Sequence, residues 1–78
     1  MTKNELALHA KLLPPEQRKG AKWVAADWSG LIYFYSAEPV ADLHNPYWTA
    51  NNVVGNGGLA DGAPPRTLNN WHELKVKL

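Results

Sequence analysis

The sequence predicts an α+β fold: an N-terminal helix plus a small antiparallel sheet built on a central hairpin. Three observations carry that prediction. A capping-box spacing at Thr2–Glu5 precedes leucines at helical intervals, two β-prone runs flank Asp27-Trp28-Ser29-Gly30, and prolines and glycines divide the rest into short pieces. At 78 residues the chain is expected to form one small domain, 1–78, because chains split into several cores only at much greater lengths.

The helix is expected within residues 1–15. Thr2 caps while Glu5 reaches back to the first turn, and Leu6, Ala10 and Leu13 follow at i, i+4 and i+7. Pro14-Pro15 ends the helix, since proline lacks an N–H and restricts the residue before it. So short a helix is marginal in water alone and needs a surface to receive its leucines. Residues 16–20 read as a polar connector ending in Gly20.

The hairpin spans 21–37. Asp27 suits the first position of a type I turn and Gly30 the left-handed position of a bulge, a three-residue loop that sets a register. Trp23 then lies opposite Tyr35, Val24 opposite Phe34, Ala25 opposite Tyr33 and Ala26 opposite Ile32. One face carries Val24, Ala26, Ile32 and Phe34. The other carries Trp23, Ala25, Leu31, Tyr33 and Tyr35, an aromatic face whose polar atoms want partners. Both faces are too apolar to lie bare in water.

Glu38-Pro39 stops the second run, His44-Asn45-Pro46 marks a turn, and Tyr47-Trp48-Thr49 suits a short third strand. Residues 51–65 hold four Gly, three Asn and two Pro, which predicts a mobile loop. In the tail, Trp71 and Leu74 are expected in the core, with Asn69-Asn70 as a cap before Trp71. Lys75-Val76-Lys77-Leu78 alternates as an edge strand does, its lysines guarding the outer side.

Composition narrows the function classes. Hydrophobic residues make up 45% and charged residues 19%, a globular rather than disordered balance. The absence of cysteine excludes disulfides, thiolate chemistry and Cys-based zinc sites. The net charge of +1 hides a segregation: residues 25–65 contain no Lys or Arg but carry Asp27, Glu38, Asp42 and Asp61. The basic residues lie on either side of that acidic stretch, an arrangement suited to steering a charged partner. A pI near 8.1 is low for a dedicated DNA binder. No membrane span or signal peptide is legible, so a cytoplasmic location and no membrane association are expected.

Few motifs carry chemistry. His9, His44 and His72 lack the spacing of a helical or hairpin metal pair, and the carboxylates are scattered singly. Asn56-Gly57-Gly58 lacks the lysine and following helix of a phosphate-binding loop. The expectation is a non-enzyme with no cofactor and no metal. The conspicuous feature is the aromatic load of four Trp, three Tyr and one Phe. Trp28 stands at the hairpin tip, and tryptophan leads the residues that anchor interfaces. The expected partner-binding residues are therefore Trp28, Tyr33, Tyr35, Trp23 and Trp48.

Trp23, Asp27-Trp28-Ser29-Gly30, Tyr33-Phe34-Tyr35, Pro39, Trp48 and Asn70-Trp71 together give a pattern that resembles small accessory proteins of tailed phages and prophages. The resemblance spans about residues 20–74. That family usually places a leucine four residues beyond the last tryptophan; here Leu74 stands three beyond. The resemblance implies a phage accessory role inside the bacterial host cell, and it supplies no catalytic residue. The leading expectation is a non-enzymatic binding protein that engages or inhibits a host protein, such as a defence or transcription factor. One alternative is an oligomeric binder of a small molecule or nucleotide, stacking it on Tyr33, Tyr35 and Trp48. A second is a single-stranded nucleic-acid module, against which the acidic neighbourhood of the hairpin counts.

Overall fold

Helix α1 runs over Lys3–Leu12 and opens on the predicted capping box. The Glu5 N–H donates to Thr2 Oγ1 at 3.1 Å, and the Thr2 N–H donates to Glu5 Oε1 at 3.0 Å. The structure, a computed structural model, describes residues 2–18, 20–42, 44, 47–49, 52–59 and 71–78. Leu13 is already extended, which places the end of α1 just before Pro14-Pro15. In place of the expected connector, Pro15 starts a second helical turn, α2 (Pro15–Arg18). A proline at the first helical position sacrifices nothing, because that N–H has no acceptor within the helix. The turn closes with the Ala21 N–H on Arg18 O at 2.8 Å and Gly20 at φ +72°.

Strands β1 (Trp23–Ala26) and β2 (Leu31–Tyr35) pair in the predicted register: Trp23 with Tyr35, Val24 with Phe34, Ala25 with Tyr33, Ala26 with Ile32. Gly30 has φ 89°. Its N–H donates to Asp27 O at 3.0 Å, and the Asp27 N–H donates to Leu31 O at 2.9 Å. This is the three-residue turn with a left-handed glycine that Asp27 and Gly30 call for.

Residues 53–59 overturn part of the loop expectation. They form strand β5 (Val53–Leu59), antiparallel to β2 with register shifts between Ile32 and Tyr33 and between Phe34 and Tyr35. The physical reason lies at Gly57. A Cβ there would stand 2.8 Å from Ile32 Cγ2 and 3.2 Å from Phe34 Cε2. The missing side chain is what lets this backbone lie against two bulky core residues. Residues 60–65, and the Asn69-Asn70 cap, lie outside the described residues.

A 3₁₀ turn at Trp71–Glu73 leads into β6 (Lys75–Lys77), which pairs with the free side of β1. The sheet order is β5-β2-β1-β6, all neighbours antiparallel. A separate two-stranded ribbon joins β3 (Ala41–Asp42) to β4 (Tyr47–Trp48), so the expected third strand exists but outside the main sheet.

The two faces of the sheet acquire different covers. Helix α1 packs against β1 and β6, buries Leu6 and Ala10 completely, and brings the His9 ring to β5. It covers the aliphatic face, where Val24, Ala26, Ile32 and Phe34 have no exposure. On the opposite face lies Trp48, whose Nε1–H donates to Ala26 O at 2.8 Å. Trp48 meets Trp71 edge to face, ring centroids 5.7 Å apart, a favoured aromatic geometry. The core thus consists of an aliphatic layer under the helix and an indole layer beneath the ribbon.

Candidate functional site

The Asp27 side chain organises the hairpin tip. Its Oδ1 accepts from the Ser29 N–H at 3.0 Å, the Ser29 hydroxyl at 2.6 Å and the Leu31 N–H at 3.2 Å. A carboxylate that bonds to the backbone two residues on is the Asx turn that favours Asp at this position. Asp27 is only 5% exposed, so these bonds take the place of water on a buried charge. Ser29 is held by the same turn.

The five aromatic residues expected to bind a partner do not all stay at the surface. Tyr35 and Trp48 are buried in the core, 3% and 6% exposed. Trp23, Trp28 and Tyr33 are half-buried and pack against that core. Trp28 therefore folds back from the tip instead of standing in solvent. Its Nε1–H is enclosed with no hydrogen-bond partner among the described residues, whereas the Trp48 N–H has found Ala26 O. An enclosed unpaired N–H forfeits about 1–3 kcal/mol.

Tyr35 is the group whose titration the fold changes most clearly. Burial pushes its hydroxyl up to about 12 from 10.0, and the Asp27 charge and then Tyr33 add to the shift. A phenolate formed there would be desolvated and would be repelled by the negative charge of Asp27.

Lys75 overturns the expectation of lysines standing guard along the edge strand. Its Nζ lies 2.9 Å from Glu38 Oε2 and 3.3 Å from Pro39 O, and 5.9 Å and 5.6 Å from the Trp23 and Trp48 ring centroids. It ties β6 to the segment entering β3 and closes over two indoles, a cation–π arrangement. Lys77 remains exposed. Periodicity places Lys75 on that face, but only the return of the chain at Glu38 turns it inward.

The histidines stay apart. The His9 Nε2–H donates to Gly57 O at 2.8 Å, fastening α1 to β5. His72 stands edge-on to Trp71 at 6.0 Å, and the His44 N–H donates to Asp42 Oδ1 at 3.0 Å. Among the described residues no three His, Asp or Glu side chains gather as a metal site would require. The fastening role of His9 had no signal in the sequence, because its acceptor is a backbone carbonyl 48 residues away.

No described helix is long and apolar enough to cross a membrane. No family model, curated protein or solved structure matches this chain.

Proposed function

We propose that the chain is a non-enzymatic binding protein of phage type that engages a host protein through the hairpin's aromatic residues. The observation that carries this reading is the half-burial of Trp23, Trp28 and Tyr33. Rings braced by packing on one side and open on the other lose little entropy when a partner covers them. Trp28 adds a polar incentive, because its enclosed N–H gains a partner if the turn rearranges on contact. The phage and host-cell part of the reading rests on the resemblance of residues 20–74, with the cytoplasm as the place of action.

Burial of Tyr35 and Trp48 weighs against stacking a nucleotide-like ligand, since two of the three rings needed for it are already engaged within the fold. The nucleic-acid reading gains nothing, because the hairpin face carries buried Asp27 and its one half-buried ammonium is paired with Glu38.

Capture from bacterial lysate, followed by titration of the purified partner, tests the proposal. Trp28→Ala and Tyr33→Ala should stay folded and lose about 2 kcal/mol or more of affinity, the scale of an interface anchor. Variants that melt much earlier yet bind the partner with unchanged affinity would reassign both rings to the core.

A further inference from the structure

Asn56 is the only asparagine of the sequence followed by glycine. The ladder between β2 and β5 passes from Asn56 opposite Tyr33 to Gly58 opposite Ile32, so Gly57 is the extra residue of a bulge. Two hydrogen bonds converge on this step. The Gly58 N–H donates to Asn56 Oδ1 at 2.6 Å, and the His9 Nε2–H donates to Gly57 O at 2.8 Å. Gly57 O and the Gly58 N–H belong to one peptide group. His9, that peptide and the Asn56 side-chain amide therefore form a single chain of donors and acceptors, in which each bond polarises the next. Asn56 itself is exposed, so water reaches its amide.

We propose that Asn56 is a self-modification site, at which the Gly57 nitrogen attacks the Asn56 amide carbon while the Gly58 N–H, backed by His9, stabilises the oxygen. The Gly57 N–H gives its proton to solvent hydroxide, its nitrogen bonds to Cγ, and the negative charge falls on Oδ1. The Cγ–Nδ2 bond then breaks, Nδ2 takes a proton from water and leaves as ammonia, and a five-membered succinimide remains. Water opens that ring at either carbonyl, giving aspartate or isoaspartate at position 56. The bond from Gly58 folds the Asn56 side chain over the following backbone, which brings Cγ towards the attacking nitrogen. Gly57 has no side chain to crowd that approach. The Gly58 N–H then acts as an oxyanion donor, already in place before charge develops. His9 is a positioning residue here, since it acts only through the Gly57–Gly58 peptide.

The product alters the strand. Isoaspartate inserts a methylene into the main chain next to Gly57, where even an added Cβ would stand 2.8 Å from Ile32 Cγ2. That leaves no room for the longer backbone, so the reaction sets a lifetime on the β5 edge of the sheet.

Incubation of the intact chain at fixed neutral pH, followed by proteolysis and mass spectrometry, provides the test. The reference is the unstructured peptide acetyl-Val-Val-Gly-Asn-Gly-Gly-Leu-amide, and conversion adds one mass unit at Asn56. Cyclisation at Asp61-Gly62 loses and regains water, so it leaves the mass unchanged. Asn56 should convert before every other asparagine and at least as fast as the peptide does. His9→Ala should slow it about two- to fivefold in a chain that a melting curve shows to be folded. A native chain slower than the peptide overturns the proposal, because the fold then merely shields the site. An unchanged or faster rate in folded His9→Ala overturns it too, since a simple clip, once removed, only loosens the strand. If His9→Ala does not fold, the comparison of native chain with peptide decides alone. The hairpin aromatics play no part in this chemistry, so the proposed function stands or falls separately.

Discussion

Asp27 and Gly30 show how much a single short side chain and a missing one contribute to a turn. The carboxylate gathers three donors on one oxygen, and the glycine supplies a φ of 89°. Gly30→Val should destabilise the chain by roughly 1–2 kcal/mol, because a β-branched residue resists the left-handed region. Urea denaturation would show it as a lower midpoint at unchanged slope. Tyr35 makes a prediction at alkaline pH. Its folded value, about 12, lies above the ordinary 10.0, so folding favours the protonated phenol. Its contribution is fully present below pH 10 and is lost as pH rises towards 12, because the unfolded chain releases the proton first. Melting temperatures measured across that window should fall for the native chain, and Tyr35→Phe should lose less over the same interval.

Each secondary element owes its existence to a different balance of local and distant forces. The start of α1 is local: Thr2 and Glu5 satisfy N–H groups that no helical carbonyl can reach. Its persistence is not, since only Leu6 and Ala10 of its residues are fully buried while Leu8 and Leu12 are 57% and 76% exposed. Strand β5 is the opposite case. Glycine and asparagine give it poor strand propensity, and it forms because β2 offers a hydrogen-bonding edge and the Ile32 and Phe34 side chains leave room only for Gly57. Its amides that bond to β2 should exchange with solvent more slowly than those of an unstructured glycine-rich segment. Hydrogen exchange resolved by residue would decide it, and uniformly fast exchange across 53–59 would contradict the pairing.

The sheet binds its two covers into one cooperative unit. Phe34 and Val24 face the helix, Trp48 and Trp71 pack as the indole layer, and Leu74, 1% exposed, lies next to Ala26, whose N–H donates to Leu74 O. Lys75 and His9 act as clips at opposite edges, one to the Glu38 segment and one to β5. Trp71→Ala should cost about 3–5 kcal/mol through the cavity it leaves. A domain of this length has roughly 4–12 kcal/mol in all, so the variant should be largely unfolded or melt far lower by calorimetry. A folded Trp71→Ala protein with near-native melting would show that Trp48 closes the indole layer alone.

The helix start, the hairpin, its register and the placement of Trp71 and Leu74 were legible in the residues. Each depends on neighbours close in the chain or on strict two-residue alternation, and such signals survive without knowledge of the fold. The strand at 53–59, the inward turn of Lys75 and the His9 clasp were not legible. They depend on contacts between segments 36 or 48 residues apart in two cases, and on a close backbone approach in the third. The candidate site divides along the same line. Alternation put Trp23, Tyr33 and Tyr35 on one face, but the ring surface left for a partner depended on where the β3–β4 ribbon came to rest. That ribbon took Trp48 into the core and left Trp23, Trp28 and Tyr33 half-open, because burial is set by what packs against a face, and local spacing says only which face it is.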